Sequence, residues 1–176
     1  MDEVIVELKE YGKNFDSLLK TLKYTQDNYI LVGIPQKSSS REKLKASTKS
    51  NKVTNAELMY IHTNGSPANN IPARPVIEPA IEDNKEQIAK YLHKAFEAMC
   101  EGNEDVADRE LHKAGTKAYK ACRAWFVNPK NGWKPNSPAV IAAKLKKGST
   151  DPKPLIDTGD LRKSITYVLV KKGVRQ

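Results

Sequence analysis

The sequence predicts a mixed helical and stranded protein in which helices dominate. Apolar residues recur at helical spacing through two long stretches between residues 77 and 125. Compact β-branched and aromatic runs stand at residues 29–34 and 165–170. Gly, Pro and Asn punctuate the chain between these stretches, with capping residues at the helix starts.

Taken in order, Val4, Val6 and Leu8 alternate with Glu3, Glu7 and Lys9, the period of a strand with one buried face, interrupted by Ile5. After Gly12, Phe15, Leu18, Leu19 and Leu22 fall at i, i+3, i+4 and i+7, the apolar stripe of a short amphipathic helix. Tyr29-Ile30-Leu31-Val32-Gly33-Ile34 reads as a buried strand ended by Pro35. Between about residues 36 and 52 the composition changes abruptly. Lys37, Arg41, Lys43, Lys45, Lys49 and Lys52 stand against the single acid Glu42, and Ser38-Ser39-Ser40 adds no apolar surface. This segment is expected to be a mobile basic loop, either a solvated insertion or an arm that orders on DNA or a neighbouring subunit. Lys43, Lys45 and Lys49 are its candidate contacts.

Thr54-Asn55-Ala56-Glu57 is a capping box, with Val53 and Leu58 spaced for a hydrophobic staple. The helix it opens is expected to stop at Asn64-Gly65. Pro72, Pro75 and Pro79 then impose an extended approach to the next helix. From Ile77, the positions Ile81, Ile88, Leu92, Ala95, Phe96 and Met99 keep helical spacing to Gly102. Asn103, with Glu104 and Asp105, caps a second long helix whose stripe is Leu111, Ala114, Ala118, Cys122 and Trp125. So short a connection predicts an antiparallel helical hairpin. Asn128-Pro129 ends it, Trp133 lies in a Gly/Pro/Asn loop, and Ser137-Pro138 opens a short helix that Gly148 terminates. A Trp in that setting is expected to anchor packing rather than to stack on a base.

At 176 residues, with 39% hydrophobic and 29% charged residues, the chain is long enough for one domain, expected to span 1–176. No apolar run approaches the ~20 residues of a membrane helix. Met1-Asp2-Glu3 offers no basic or apolar leader, so a cytoplasmic site of synthesis is expected. Cys100 and Cys122 lack metal-ligand or redox spacing and are expected as buried or half-buried thiols. His62, His93 and His112 are scattered, which argues against a metal centre. No cofactor is expected. The formal charge of +9 is concentrated in the C-terminal third, a field suited to phosphate backbones or acidic protein surfaces.

The tripeptide Asp157-Thr158-Gly159 invites an aspartic-protease reading, in which two carboxylates share a proton. Asp160 stands where such enzymes place a small residue, and the chain has neither a second tripeptide nor a Gly-rich flap. A hydrolase centred on Asp157 is therefore the least favoured reading, and no enzymatic activity is expected. The simpler expectation is structural: Asp157 or Thr158 caps a short turn, Gly159 relieves its backbone, and a strand follows from Ile165.

Two ordered blocks carry a resemblance. The first is Ile71-Pro72-Ala73-Arg74-Pro75-Val76-Ile77-Glu78-Pro79-Ala80, after a short helix ending in a Gly turn. The second is Trp133, the Ser137-Pro138 helix start, a basic Gly turn, and Pro154-Leu155-Ile156-Asp157-Thr158-Gly159-Asp160-Leu161-Arg162-Lys163-Ser164-Ile165. In this order they resemble the tail-completion, or virion-morphogenesis, proteins of tailed bacteriophages, which join tail to head. Val76 stands where that family more often has an aromatic residue, and Thr63-Asn64-Gly65 where it often has Glu-Phe-Gly.

The resemblance implies an α+β fold, a small antiparallel sheet packed against helices with the helical hairpin mid-chain. It implies a structural virion protein of the head–tail junction, assembled in the host cytoplasm as a ring, a hexamer by the family's pattern. Its neighbours would be the head connector or stopper protein and the tail tube or tail terminator, with non-specific contact to viral DNA and none to membrane. Pro72, Arg74 and Pro75 would then fix the approach to the long helix, with Arg74 pairing a carboxylate. Asp157, Thr158, Gly159 and Arg162 would shape the turn into the last strand. On charge alone, and not on the resemblance, Lys144, Lys146 and Lys147 or the basic loop are expected to face DNA or a partner. The alternative function is a free, sequence-independent nucleic-acid-binding protein.

Overall fold

The computed structural model describes residues 2–35, 53–150 and 152–171, with side chains from Phe15 onward. Among them the architecture is α+β. Seven helices accompany a two-stranded antiparallel sheet, and a long helix pair is packed together. The order is α1 Asp2–Asp27, β1 Asn28–Gly33, α2 Asn55–Asn64, α3 Ile77–Asp83, α4 Lys85–Cys100, α5 Glu104–Trp125, α6 Pro138–Lys146, α7 Asp160–Ser164 and β2 Thr166–Lys171. The basic segment around residues 36–52, with Lys43, Lys45 and Lys49, lies outside the described residues.

The chain forms two compact units. The first comprises Met1–Leu31, Glu86–Lys117 and Val168–Gln176; the second comprises Val32–Lys85 and Ala118–Tyr167. Helix α5 and both strands each contribute residues to both.

In the first unit, the expected N-terminal strand is instead the beginning of α1. Val4, Leu8, Tyr11, Phe15, Leu18 and Leu22 also recur at alternating steps of four and three, a helical period that the short alternation concealed. Extending an existing helix through Gly12 costs only about 1 kcal/mol, whereas a separate strand would need a partner for its backbone groups. The inward face of α1 is also not the expected one. Thr21 is wholly buried and flanked at helical spacing by half-buried Ser17, Tyr24 and Asn28, while Phe15, Leu18, Leu19 and Leu22 are exposed by 60%, 46%, 48% and 46%. The Thr21 hydroxyl is satisfied by the Ser17 carbonyl at 3.0 Å. Asn28 closes the helix by donating from Nδ2 to the Tyr24 carbonyl at 2.8 Å.

The first unit's core is built from small residues. Ala95, Ala98 and Met99 of α4 meet Ala107 and Leu111 of α5, with Tyr24, Ile30, Val106 and Leu169 packed around them. Short side chains let the two backbones approach closely, as interior close packing requires. Asn103 caps α5 by accepting the Val106 N–H at 3.3 Å. Asp108 ties three elements together: it accepts from Tyr24 Oη at 2.7 Å and from Lys171 Nζ. Burial alone would raise its carboxyl, but the hydrogen bonds from Lys171 and Tyr24, with the charges of Lys171 and His112, hold it below the usual carboxylate range. Cys100 is exposed, contrary to the expectation, because it sits in the last turn of α4.

The second unit has the larger side chains. Phe126, Ile165, Val76 and Cys122 are essentially inaccessible, and Met59, Ala80, Trp125 and Leu161 complete the cluster. The helix expected to run unbroken from Ile77 to Gly102 divides at Asn84, whose Nδ2 donates to the Ala80 carbonyl at 3.0 Å. An Asn side chain competing for helix carbonyls is a recognised local alternative to continued helix. Burial raises the Cys122 thiol to about 11, so it is a packed hydrophobe rather than a nucleophile.

Candidate partner-binding cleft

Both sequence blocks line one cleft of the second unit, with a volume of about 1070 Å³. Three stretches, far apart in sequence, form its walls.

The first wall begins at the end of α2. The capping box forms as expected, with Thr54 Oγ1 accepting from Glu57 N at 3.2 Å and Glu57 Oε2 accepting from Thr54 N at 2.7 Å. Val53, the expected staple, is 43% exposed. At the other end Gly65 adopts φ 74 and ψ 178, a region open essentially to glycine alone. A Cβ there would stand 2.8 Å from Ala73 N and 2.9 Å from Ile71 O, so the returning strand-like segment presses directly on it. An antiparallel bridge, Ser66 to Ile71, closes the loop. Pro72 and Pro75 keep the next residues extended, and the Arg74 N–H donates to the His62 carbonyl at 2.6 Å.

The second wall follows α5. Trp133 packs edge-on against Phe126, with ring centroids 5.9 Å apart, and its Nε1 donates to the Pro75 carbonyl at 3.2 Å. This holds the Lys134-Pro135 backbone against Arg74, whose Nη2 donates to the two carbonyls at 3.0 and 3.5 Å. Ser137 Oγ then accepts from Val140 N at 3.4 Å to start α6.

The third wall is the Asp157-Thr158-Gly159 turn. Here the capping expectation needs correction. Gly159, at φ 80, occupies the N-cap of α7 with no side-chain capping bond, and Asp157 is exposed without a capping role. Thr158 Oγ1 instead donates to Asp160 Oδ2 at 2.7 Å and accepts its N–H at 3.4 Å. The α7 turn is too short to need a strong cap; what fixes it is an arginine clasp. Arg162 Nε donates to the Arg123 carbonyl at 2.7 Å, while Arg123 donates from Nε to Ile165 O at 2.9 Å and from Nη2 to Lys163 O at 2.6 Å. The Arg123 guanidinium also lies 4.9 Å from the centroid of Tyr119, which stacks on Tyr167. Sequence reading missed Arg123; its only signal is a cation in the last turn of α5.

Arg74 differs most from expectation. It is 7% exposed and its positive charge meets only neutral carbonyls; among the described residues it forms no ion pair with a carboxylate. Among the described residues its Nε has no hydrogen-bond partner, and neither has Nδ1 of the neighbouring His62. Burial lowers the Arg74 guanidinium below its ordinary value. Burial, and then the Arg74 charge, lower His62, which keeps it neutral near pH 7. Lys144 is not the free surface cation expected. It is half-buried, and its Nζ reaches back to the Lys153 carbonyl at 2.7 Å and to the Ile156 carbonyl. Burial lowers it, Asp157 partly restores it, and Arg74 and Lys147 lower it further. Lys146 and Lys147 are exposed at the end of α6.

Chemically, the cleft presents the Arg74 guanidinium and the half-buried Lys144 beside largely apolar walls. On the third wall the Thr158 hydroxyl donates to the exposed Asp160 carboxylate, and the His62 main-chain carbonyl accepts the Arg74 N–H. No group of three or more His, Cys, Asp or Glu that could hold a metal ion occurs among the described residues. No described helix is long and apolar enough to cross a membrane. Comparison of the chain with protein-family models, curated proteins and solved structures finds no significant match.

Proposed function

We propose that the protein is a non-enzymatic structural component of a phage virion, a head–tail junction protein that assembles as a ring, a hexamer, between head connector and tail tube around the DNA channel. The observation that carries the reading is the apolar surface of the first unit. Phe15, Leu18, Leu19 and Leu22 on α1, together with Tyr29 and Leu31 on β1 and Val168 on β2, are each 43–60% exposed. Isolated exposed apolar residues are ordinary, but a helix that turns its apolar stripe outward and its small polar face inward is organised for a neighbour. The neighbour we assign is a second copy of this chain, because cyclic repetition covers such a face on every subunit without leaving an end. The order of the two sequence blocks supports the same reading.

The runner-up, sequence-independent nucleic-acid binding, draws on exposed Lys146 and Lys147 and the net charge of +9. Negative-stain microscopy of the purified chain mixed with tail tubes from the same virus distinguishes the two. Caps at tube ends are expected for a junction protein; bare tubes with salt-sensitive DNA binding would favour the runner-up.

A further inference from the structure

We propose that the second-unit cleft binds a carboxylate carried on an extended, partly apolar peptide segment of a partner protein, with Arg74 as its counter-charge. The inference goes beyond the ring reading and concerns the chain by itself.

The first argument is charge. A buried arginine, here 7% exposed as a residue, is normally matched by a carboxylate, because neutral carbonyls do not compensate a full buried charge. Among the described residues Arg74 has only the Lys134 and Pro135 carbonyls, and its Nε is unpartnered. Half-buried Lys144 lines the same cleft and adds positive potential that Asp157 offsets in part, and the two cations disfavour each other. His62 Nδ1, without a hydrogen-bond partner, adds a further unmet polar atom beside Arg74. The field left over is that of an anion site with its anion supplied from outside.

The second argument is shape and surface. Leu58, Ile71, Pro72, Pro135, Leu155 and Leu161 make the walls largely apolar. The volume of about 1070 Å³ is at or above the range typical of sites for one small molecule. A free inorganic anion would leave those walls uncovered, whereas an acidic residue flanked by aliphatic ones covers them. A nucleic acid is a poor match. Among the described residues the lining holds no Phe, Tyr or Trp on which a base could stack.

The test uses the full chain, labelled with ¹⁵N, and follows the Arg74 Nε–H resonance, which reports on the guanidinium directly and needs no variant. Four probes are titrated: the blocked peptide Pro-Leu-Glu-Leu, its Pro-Leu-Gln-Leu counterpart, inorganic phosphate and a single-stranded oligonucleotide. The Glu peptide should move the Arg74 resonance and bind at least about tenfold more tightly than the Gln peptide. Arg74→Lys, which keeps the charge and loses the planar fork, should erase most of that discrimination while leaving the other backbone resonances in place. Equal responses to Glu and Gln, no response to either, or a stronger response to phosphate or to the oligonucleotide would each overturn the proposal. Because the readout is on the isolated chain, its failure leaves the ring reading standing, and a failure of ring assembly leaves this site standing.

Discussion

Replacing Gly65 by alanine tests whether the cleft's first wall is held by close backbone approach. Two costs combine at this position. The backbone lies at φ 74 and ψ 178, a region that costs a residue with a Cβ about 1–3 kcal/mol. The added Cβ would also meet Ala73 N at 2.8 Å and Ile71 O at 2.9 Å, both main-chain atoms with no rotamer to yield. Relief requires parting the Ser66–Ile71 bridge, whose two hydrogen bonds measure 2.8 and 3.0 Å, at about 1 kcal/mol each. The expected loss is about 3–5 kcal/mol. Gly132 supplies the internal control. It sits at φ 60 and ψ 15 with nothing within 4 Å of a Cβ, so Gly132→Ala should cost only about 1 kcal/mol. Urea unfolding followed by tryptophan fluorescence reads both variants, and hydrogen exchange at the Arg74 amide, bonded to the His62 carbonyl, reports the local opening. Equal losses for the two variants, within about 0.5 kcal/mol, would refute the claim that backbone contact at Gly65 shapes the wall.

Two further outcomes follow from the same geometry. Arg123→Lys removes the planar fork that holds Ile165 O and Lys163 O, and should destabilise by about 2 kcal/mol and speed amide exchange in α7, measured by denaturation and hydrogen–deuterium exchange; unchanged exchange in α7 would count against the clasp. Because the folded-state pKa of His62 is depressed by burial and by Arg74, the unfolded chain binds more protons in acid. The stability contributed by neutral His62 is therefore present above the unfolded value of about 6.5 and is lost as pH falls below it towards the folded value. Melting temperatures should drop more steeply on acidification for the wild type than for His62→Gln; parallel pH profiles would contradict this.

How much of this was legible in the sequence depended on how local the cause is. The Thr54/Glu57 box, the Asn103 cap and the Ser137-Pro138 start are decided within four residues, and each forms as the sequence suggests. The α5 stripe was legible because Leu111, Ala114, Ala118, Cys122 and Trp125 all bury on one face. On α1 the same apolar rule pointed the wrong way: the stripe Phe15, Leu18, Leu19 and Leu22 faces out, since periodicity identifies a face without saying whether its partner is in the same chain. The cleft was legible only in pieces. Arg74, Lys144 and Arg123 are all held by backbone carbonyls, which every residue possesses and no sequence pattern marks. The convergence of Arg74, Lys134 and Asp157 on one cavity joins segments separated by 60, 23 and 83 residues (74 to 134, 134 to 157, 74 to 157), beyond the reach of any local rule.

In the proposed ring, the outward face of α1 joins copies of this chain. Light scattering on the full chain and on a Leu18→Lys/Leu22→Lys variant, over a range of concentrations and with tail tubes present, tests it most directly. Both leucines are about half exposed, so the variant should keep the wild-type circular dichroism and melting temperature. Wild-type assemblies are expected at a multiple of the 19.7 kDa chain mass, and the variant is expected to stay at the mass of one chain. A wild type that remains monomeric alone and with tail tubes, or a variant that assembles as the wild type does, would contradict it.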